Sequence, residues 1–162
     1  MASRAEALRA AYRPDPIKVL FVGESAPAGG RFFYAANSQV HRYLGEALAP
    51  YLGDNDFLNR FADAGFFLDD LVLTPVNHLS PRDRAARNLA AIPSLAARLA
   101  TYQPQAVVGI AKTISEPLTQ AHAQAGLDCP LHVVAFPGTG QQANFRRELT
   151  AILPGLLALA RT

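Results

Sequence analysis

The chain has 162 residues, 50% of them hydrophobic and 17% charged, which suits one globular domain with enough apolar material for a core. Its apolar runs fall well short of the roughly 20 residues that a membrane-spanning helix needs, and one cysteine, Cys129, excludes an internal disulfide and any metal centre built from several cysteines of one chain. A formal net charge of +2 announces no broad basic surface. All but two of the 15 basic residues are arginines, which suits phosphate but is also what a GC-rich genome produces.

Residues 1–9 mix charges of both signs and lack the apolar block of a secretion signal. They read as an amphipathic lead-in helix, and the protein as cytoplasmic. Residues 17–23, a β-branched apolar run ending in Gly23, predict a buried parallel first strand. Residues 38–52 fit a helix. Residues 69–76, containing Leu71-Val72-Leu73-Thr74, predict the second strand. Ser80, Pro81 and Asp83 supply an N-cap, a first-turn proline and a first-turn acid, and Leu89, Ile92, Leu95 and Leu99 follow at helical spacing as one apolar face. Residues 106–111 predict the third strand, 112–124 a helix and 131–136 the fourth strand, in which His132 reads as a satisfied core histidine. Leu149, Ile152, Leu153 and Leu156 mark a C-terminal helix despite Pro154 and Gly155.

Strands alternating with helices imply an α/β fold: a single-domain, three-layer α/β/α sandwich around a mostly parallel four-stranded sheet. Ligands bind such sheets outside the carboxyl ends of the strands, which selects three loops, residues 23–37, 75–82 and 136–145. In the first, Glu24 leaves a buried strand end beside Gly23 and Ser25. A carboxylate held there and partly desolvated suits a base, a water positioner or a stabiliser of positive charge; it would serve as well to cap a helix or pair with Arg31. Phe32, Phe33 and Tyr34 are costly to expose, so they cover either the core or a flat substrate.

The second loop places Asn77 and His78 at a strand end. An Asn amide donates and accepts at once, so it can read a planar edge that carries a carbonyl beside an N–H; the alternative is that Asn77 holds the loop together and His78 faces solvent. In the third loop, Gly138-Thr139-Gly140 stands before a helix and can offer backbone N–H groups to an anion. It is no P-loop, because the Gly-Lys-Ser/Thr ending is missing. Gln141, Gln142, Arg146 and Arg147 follow.

Taken together the three loops resemble those of the uracil-DNA glycosylase superfamily, over roughly residues 17–149. Val22-Gly23-Glu24-Ser25-Ala26-Pro27 is similar to the Gly-Glu-Ala-Pro-Gly motif of one branch and to the Gly-hydrophobic-Asn-Pro-Gly motif of the mismatch-specific branch, where this loop positions or activates water. Phe33 falls where an aromatic stacks on the extruded base, and Ala36-Asn37 is similar to a pair behind that aromatic. Leu73-Thr74-Pro75-Val76-Asn77 with residues 80–84 resembles the second-strand motif, and either Asn77 or Thr74 takes the base-reading place. The last loop departs from the pattern. Phe136-Pro137-Gly138 stands where the family has His-Pro-Ser, so His78 or loop N–H groups would have to replace that histidine.

The resemblance implies a monofunctional hydrolase, a monomer that removes uracil from DNA, and because Cys129 alone cannot hold the four-cysteine cluster of some branches, the expectation is an enzyme free of metal and cofactor. Cleavage of the N-glycosidic bond builds an oxocarbenium-like sugar and a uracil anion, so the site needs negative charge near the one and donors near the other. Glu24 and His78 are the expected catalytic residues, and Gly23, Ser25, Phe33, Tyr34 and Asn77 the expected substrate contacts. Asn77 would accept from N3–H and donate to O4 of a flipped uracil. The loop at Gly138 and Thr139 would press into the duplex, with Gln141 or Gln142 filling the gap, and Arg146 and Arg147 on phosphates. The alternatives are a non-catalytic nucleic-acid or nucleotide binding module and an unrelated small-molecule hydrolase, since fold does not fix function.

Overall fold

The computed structural model describes residues 3–161. Helix α1 (Arg4–Ala11) starts at Ser3, whose hydroxyl accepts from the Glu6 N–H at 3.1 Å; Met1 and Ala2 of the expected lead-in helix lie outside the described residues. Then come β1 (Val19–Gly23), α2 (Gln39–Leu52), α3 (Phe57–Asp63), β2 (Phe66–Asp70), α4 (Pro81–Ala90), α5 (Ile92–Tyr102), β3 (Ala106–Ile110), α6 (Ser115–Gln124), β4 (Leu131–Val134) and α7 (Gln142–Ala160). Ser38 and Ser80 cap α2 and α4 through their hydroxyls, Ser80 taking the Asp83 N–H.

The sheet runs β2-β1-β3-β4 and every pairing is parallel. From β1 the chain moves one way to reach β2 and then the other way to β3 and β4. Right-handed crossovers therefore put α2 and α3 on one face and α5 and α6 on the opposite one. The packing agrees: α5 lies on α6, and α2 touches α3 and α7, the last returning against β1 and β4. With both faces covered, β2 and β3 are buried throughout, which is why apolar runs rather than alternation mark these strands. The direction reverses between β1 and β3, and that reversal opens a crevice at their carboxyl ends.

Three expectations are corrected and one helix is added. The second strand is Phe66–Asp70, not residues 69–76. Leu71 and Val72 still donate to the Gly23 and Glu24 carbonyls at 2.8 and 2.9 Å, but β1 then turns into its loop and no partner strand remains, so Leu73 and Thr74 are exposed. The stripe from Leu89 to Leu99 belongs to two helices: Pro93 opens α5, and Leu89, 49% exposed, lies outside the apolar face. His132 is half-exposed on the edge strand β4 rather than in the core. Helix α3 was not expected; its Leu58 and Phe61 are buried, the latter against Phe21 and Phe66.

Candidate active site

A cavity of about 770 Å³ opens at the carboxyl ends of the strands, within the ordinary range of small-molecule sites. All three loops expected from the sequence reach it, the first through residues 23–33, the second through Asn77 and the third through Phe136, Gly138 and Gln141. A fourth was missed: Ala111, Lys112 and Thr113, after β3, also line it. Ala111 stands at φ 150° and ψ 130°, a conformation natural only to glycine. Lys112 then reaches across to β4, donating to the Val133 carbonyl at 3.0 Å and pairing with Glu148 at 2.9 Å, while Glu148 accepts the Ala135 N–H at 2.8 Å. These contacts hold Glu148 below the usual carboxylate range, chiefly through Lys112.

Glu24 lies on the cavity wall with its side chain 9% exposed. It pairs not with Arg31 but with Arg84 of α4, whose Nε donates to both carboxylate oxygens at 2.9 Å and whose Nη2 donates to Oε1. Asn88, one turn further along α4, donates to Oε2 at 2.8 Å. Four donor contacts use the acceptor capacity of the two oxygens. Glu24 is thus a fixed, charged anchor between the first loop and α4, and its geometry suits a held charge better than a base. Its hold raises the Arg84 guanidinium further above its ordinary pKa. The proline-arginine segment behind the second loop is the sequence signal for this pair.

Phe33 forms part of the cavity wall and is packed edge-on against Tyr34, His41 and Phe57. Burial lowers the pKa of His41. Tyr34 is absent from the wall: it stacks on Tyr12 at 5.5 Å and its hydroxyl accepts the Leu68 N–H at 2.7 Å, so it belongs to the core. Ser25 lines the cavity and accepts the Val76 N–H at 3.2 Å, and Asn77 Oδ1 accepts the Ala28 N–H at 3.1 Å. The second loop is thereby tied to the first, with Asn77 both wall and tie. Thr74 and His78 are exposed and lie off the wall, His78 facing solvent.

In the third loop, Phe136 is 42% exposed at the cavity rim, and its carbonyl accepts the Gly138 N–H at 2.8 Å. Gln141 lines the cavity and Thr139 is exposed. Gln142 opens α7. Arg146 faces α2, over Tyr43 at 5.6 Å and 3.7 Å from Glu46, and Arg147 donates to Asn144 at 2.9 Å. Neither arginine reaches the cavity wall.

The residue that the sequence reading missed is Asp70, which closes β2 opposite Gly23 and lines the cavity. It belongs to a buried charge cluster. Arg9, reaching in from α1, donates to Asp70 Oδ2 at 2.8 Å and to Glu6 at 2.6 Å, and stands 3.2 Å from Asp69. Asp69 is held further by Arg98 at 2.9 Å and by the Tyr102 hydroxyl at 2.8 Å. Burial pushes the Asp70 carboxyl up to about 7 against the pull of Arg9, and the Asp69 charge adds to that rise. Two adjacent acids at the carboxyl end of a Phe-Phe-Leu strand were the available signal.

The chain matches no protein-family model and no curated protein. No helix among the described residues is long and apolar enough to cross a membrane.

Proposed function

We propose that the protein is a DNA glycosylase that flips a uracil into this cavity and hydrolyses its N-glycosidic bond. The observation that carries the reading is the convergence of residues 23–33, Asn77 and the Phe136–Gln141 loop on one cavity at the sheet's topological switch point. Those are the three segments whose sequences resemble the glycosylase loops. Phe33 offers an aromatic wall for a planar base. Asn77 keeps its amide donor group while its oxygen holds the first loop. Arg84 uses Nε and Nη2 on Glu24, and among the described residues Nη1 has no hydrogen-bond partner; it can take a phosphate at the cavity rim. Glu24 then supplies fixed negative charge beside the sugar rather than accepting a proton.

The test is strand scission: a labelled uracil-containing oligonucleotide is incubated with the protein and treated with alkali. The expected result is cleavage at uracil, and no product from single-stranded, U:A and U:G substrates would end the reading. Glu24→Gln and Asn77→Ala are each expected to lower the rate by at least about tenfold, roughly 1.4 kcal/mol of barrier. Rates within twofold of the wild type would remove that residue from the mechanism. Full occupation of Glu24 by Arg84 and Asn88 also favours a second reading, a binding module without turnover, which tight binding to uracil-containing or abasic DNA with no scission would support.

A further inference from the structure

We propose that Asp70 is the cavity's proton donor, passing a proton from Oδ1 to a carbonyl oxygen or ring nitrogen of an N-linked heterocycle as that base departs. The proposal rests on the glycosylase reading and names a residue and a step that the three-loop pattern does not contain.

Three observations carry it. First, Asp70 closes β2 in register with Gly23, at the inner wall of the cavity. A Cβ built on Gly23 would meet Asp70 Oδ1 at 2.6 Å, so the absence of a side chain at that position is what gives the oxygen its place. Second, the two carboxyl oxygens differ. Oδ2 accepts from Arg9 Nη2 at 2.8 Å, whereas Oδ1 has no hydrogen-bond partner among the described residues. Glu24, the other carboxylate on the wall, has both oxygens occupied. Third, the surroundings leave Asp70 within reach of both protonation states near neutrality. Arg9 and Glu6 face it from α1, Asp69 from its own strand, Arg98 from α5 and Tyr34 from the short helical turn within the first loop. Glu24 and Arg84, hydrogen-bonded to each other, line the same cavity. Asp69 already takes Arg9, Arg98 and Tyr102, so the neighbouring acid carries the proton.

The bond from sugar C1′ to the base nitrogen breaks and its electron pair goes to the base. The Oδ1 proton goes to the base, leaving Asp70 a carboxylate stabilised by Arg9. Water adds to C1′, and the proton that it sheds restores the carboxyl group through solvent. A carbonyl-bearing pyrimidine satisfies this chemistry, because the departing negative charge is delocalised onto an oxygen that an acid can protonate.

Two measurements test it. In the first, base release from the U:G oligonucleotide is followed from pH 5.5 to 9. The wild-type rate is expected to fall about tenfold per unit once the pH passes the Asp70 midpoint near 7. Asp70→Asn is expected to be at least tenfold slower at pH 6 and to lose that limb. An unchanged limb in Asp70→Asn overturns the proposal and leaves the glycosylase reading standing. In the second, carboxyl carbon NMR of the wild type, assigned through the backbone, follows Asp70 with and without free uracil. This works even if Asp70→Asn fails to fold or no DNA is cut. The proposal expects a midpoint near 7 that rises when uracil binds, and uracil binding at least tenfold tighter at pH 6 than at pH 8.5. Titration in the ordinary carboxylate range, or no response to uracil, overturns it. A uracil-linked shift without scission of any DNA would retain Asp70 as the ligand contact and discard the glycosylase reading.

Discussion

Glu24 and Asp70 face one cavity from the ends of neighbouring strands, yet they are built for different work. Glu24 stands just past the end of β1, and a single helix, α4, sends it an arginine and an amide one turn apart. Asp70 ends β2 and is met by an arginine from α1 that it shares with Asp69 and Glu6. The first carboxylate is saturated and remains a charge; the second is under-neutralised, deeply buried and half free. Strand-end position alone does not assign a role to an acid, because the donors that reach it decide whether it holds a charge or moves a proton.

The largest expected effect comes from removing the shared cation. Arg9→Ala leaves Asp69 and Asp70 buried with less compensation and is expected to cost about 3–5 kcal/mol of stability in urea denaturation. A cost below 1 kcal/mol would show that the cluster is not held by α1. Next in size is a pH effect. The folded carboxyl of Asp70 lies at about 7, above its unfolded value of 3.8, so its stabilising contribution is complete below about 4 and is lost as pH rises to about 7. Over that window the wild type is expected to lose stability relative to Asp70→Asn by a few kcal/mol, measured by paired denaturation curves at each pH. A constant difference would place the Asp70 midpoint back in the ordinary range.

A smaller effect separates the two acids directly. Gly23→Ala drives a methyl group into Asp70 Oδ1 while leaving the contacts of Glu24 with α4 in place. We expect a loss of about 1–3 kcal/mol from overpacking, together with loss of the alkaline limb of base release; wild-type behaviour in both would detach Gly23 from the placement of Asp70. The smallest effect is His78→Ala. Exposed and away from the cavity wall, it is expected to change stability by no more than about 0.5 kcal/mol and base release by less than twofold. A tenfold loss of rate would bring His78 back into the site.

Much of the scaffold was legible in the residues. Buried parallel strands read as continuous apolar runs, so β1, β3 and β4 were found within a few residues of their ends. The serine cap of α4 was also expected, and the capping geometry agrees. The second strand was misplaced because buried acids look like a strand's solvated edge, and Leu71-Val72-Leu73 looked like its core. Burial of Asp69 and Asp70 depends on Arg9 and Arg98, and Arg9 lies 60 or more positions away in the sequence.

Sequence by itself determined the α/β class, the alternation of strands with helical segments, and three of the loops that meet at the strand ends. Those follow from local hydrophobic period, capping and the rule that parallel sheets open at their carboxyl edge. Only the tertiary structure decided which side chains face the cavity. It turned Tyr34 into core, brought Arg84 rather than Arg31 to Glu24, left His78 in solvent and set Asp70 over Gly23. The physical reason is range. Period and capping act within a few residues, whereas the protonation of a buried acid is set by charges and desolvation that come from every element packed against it.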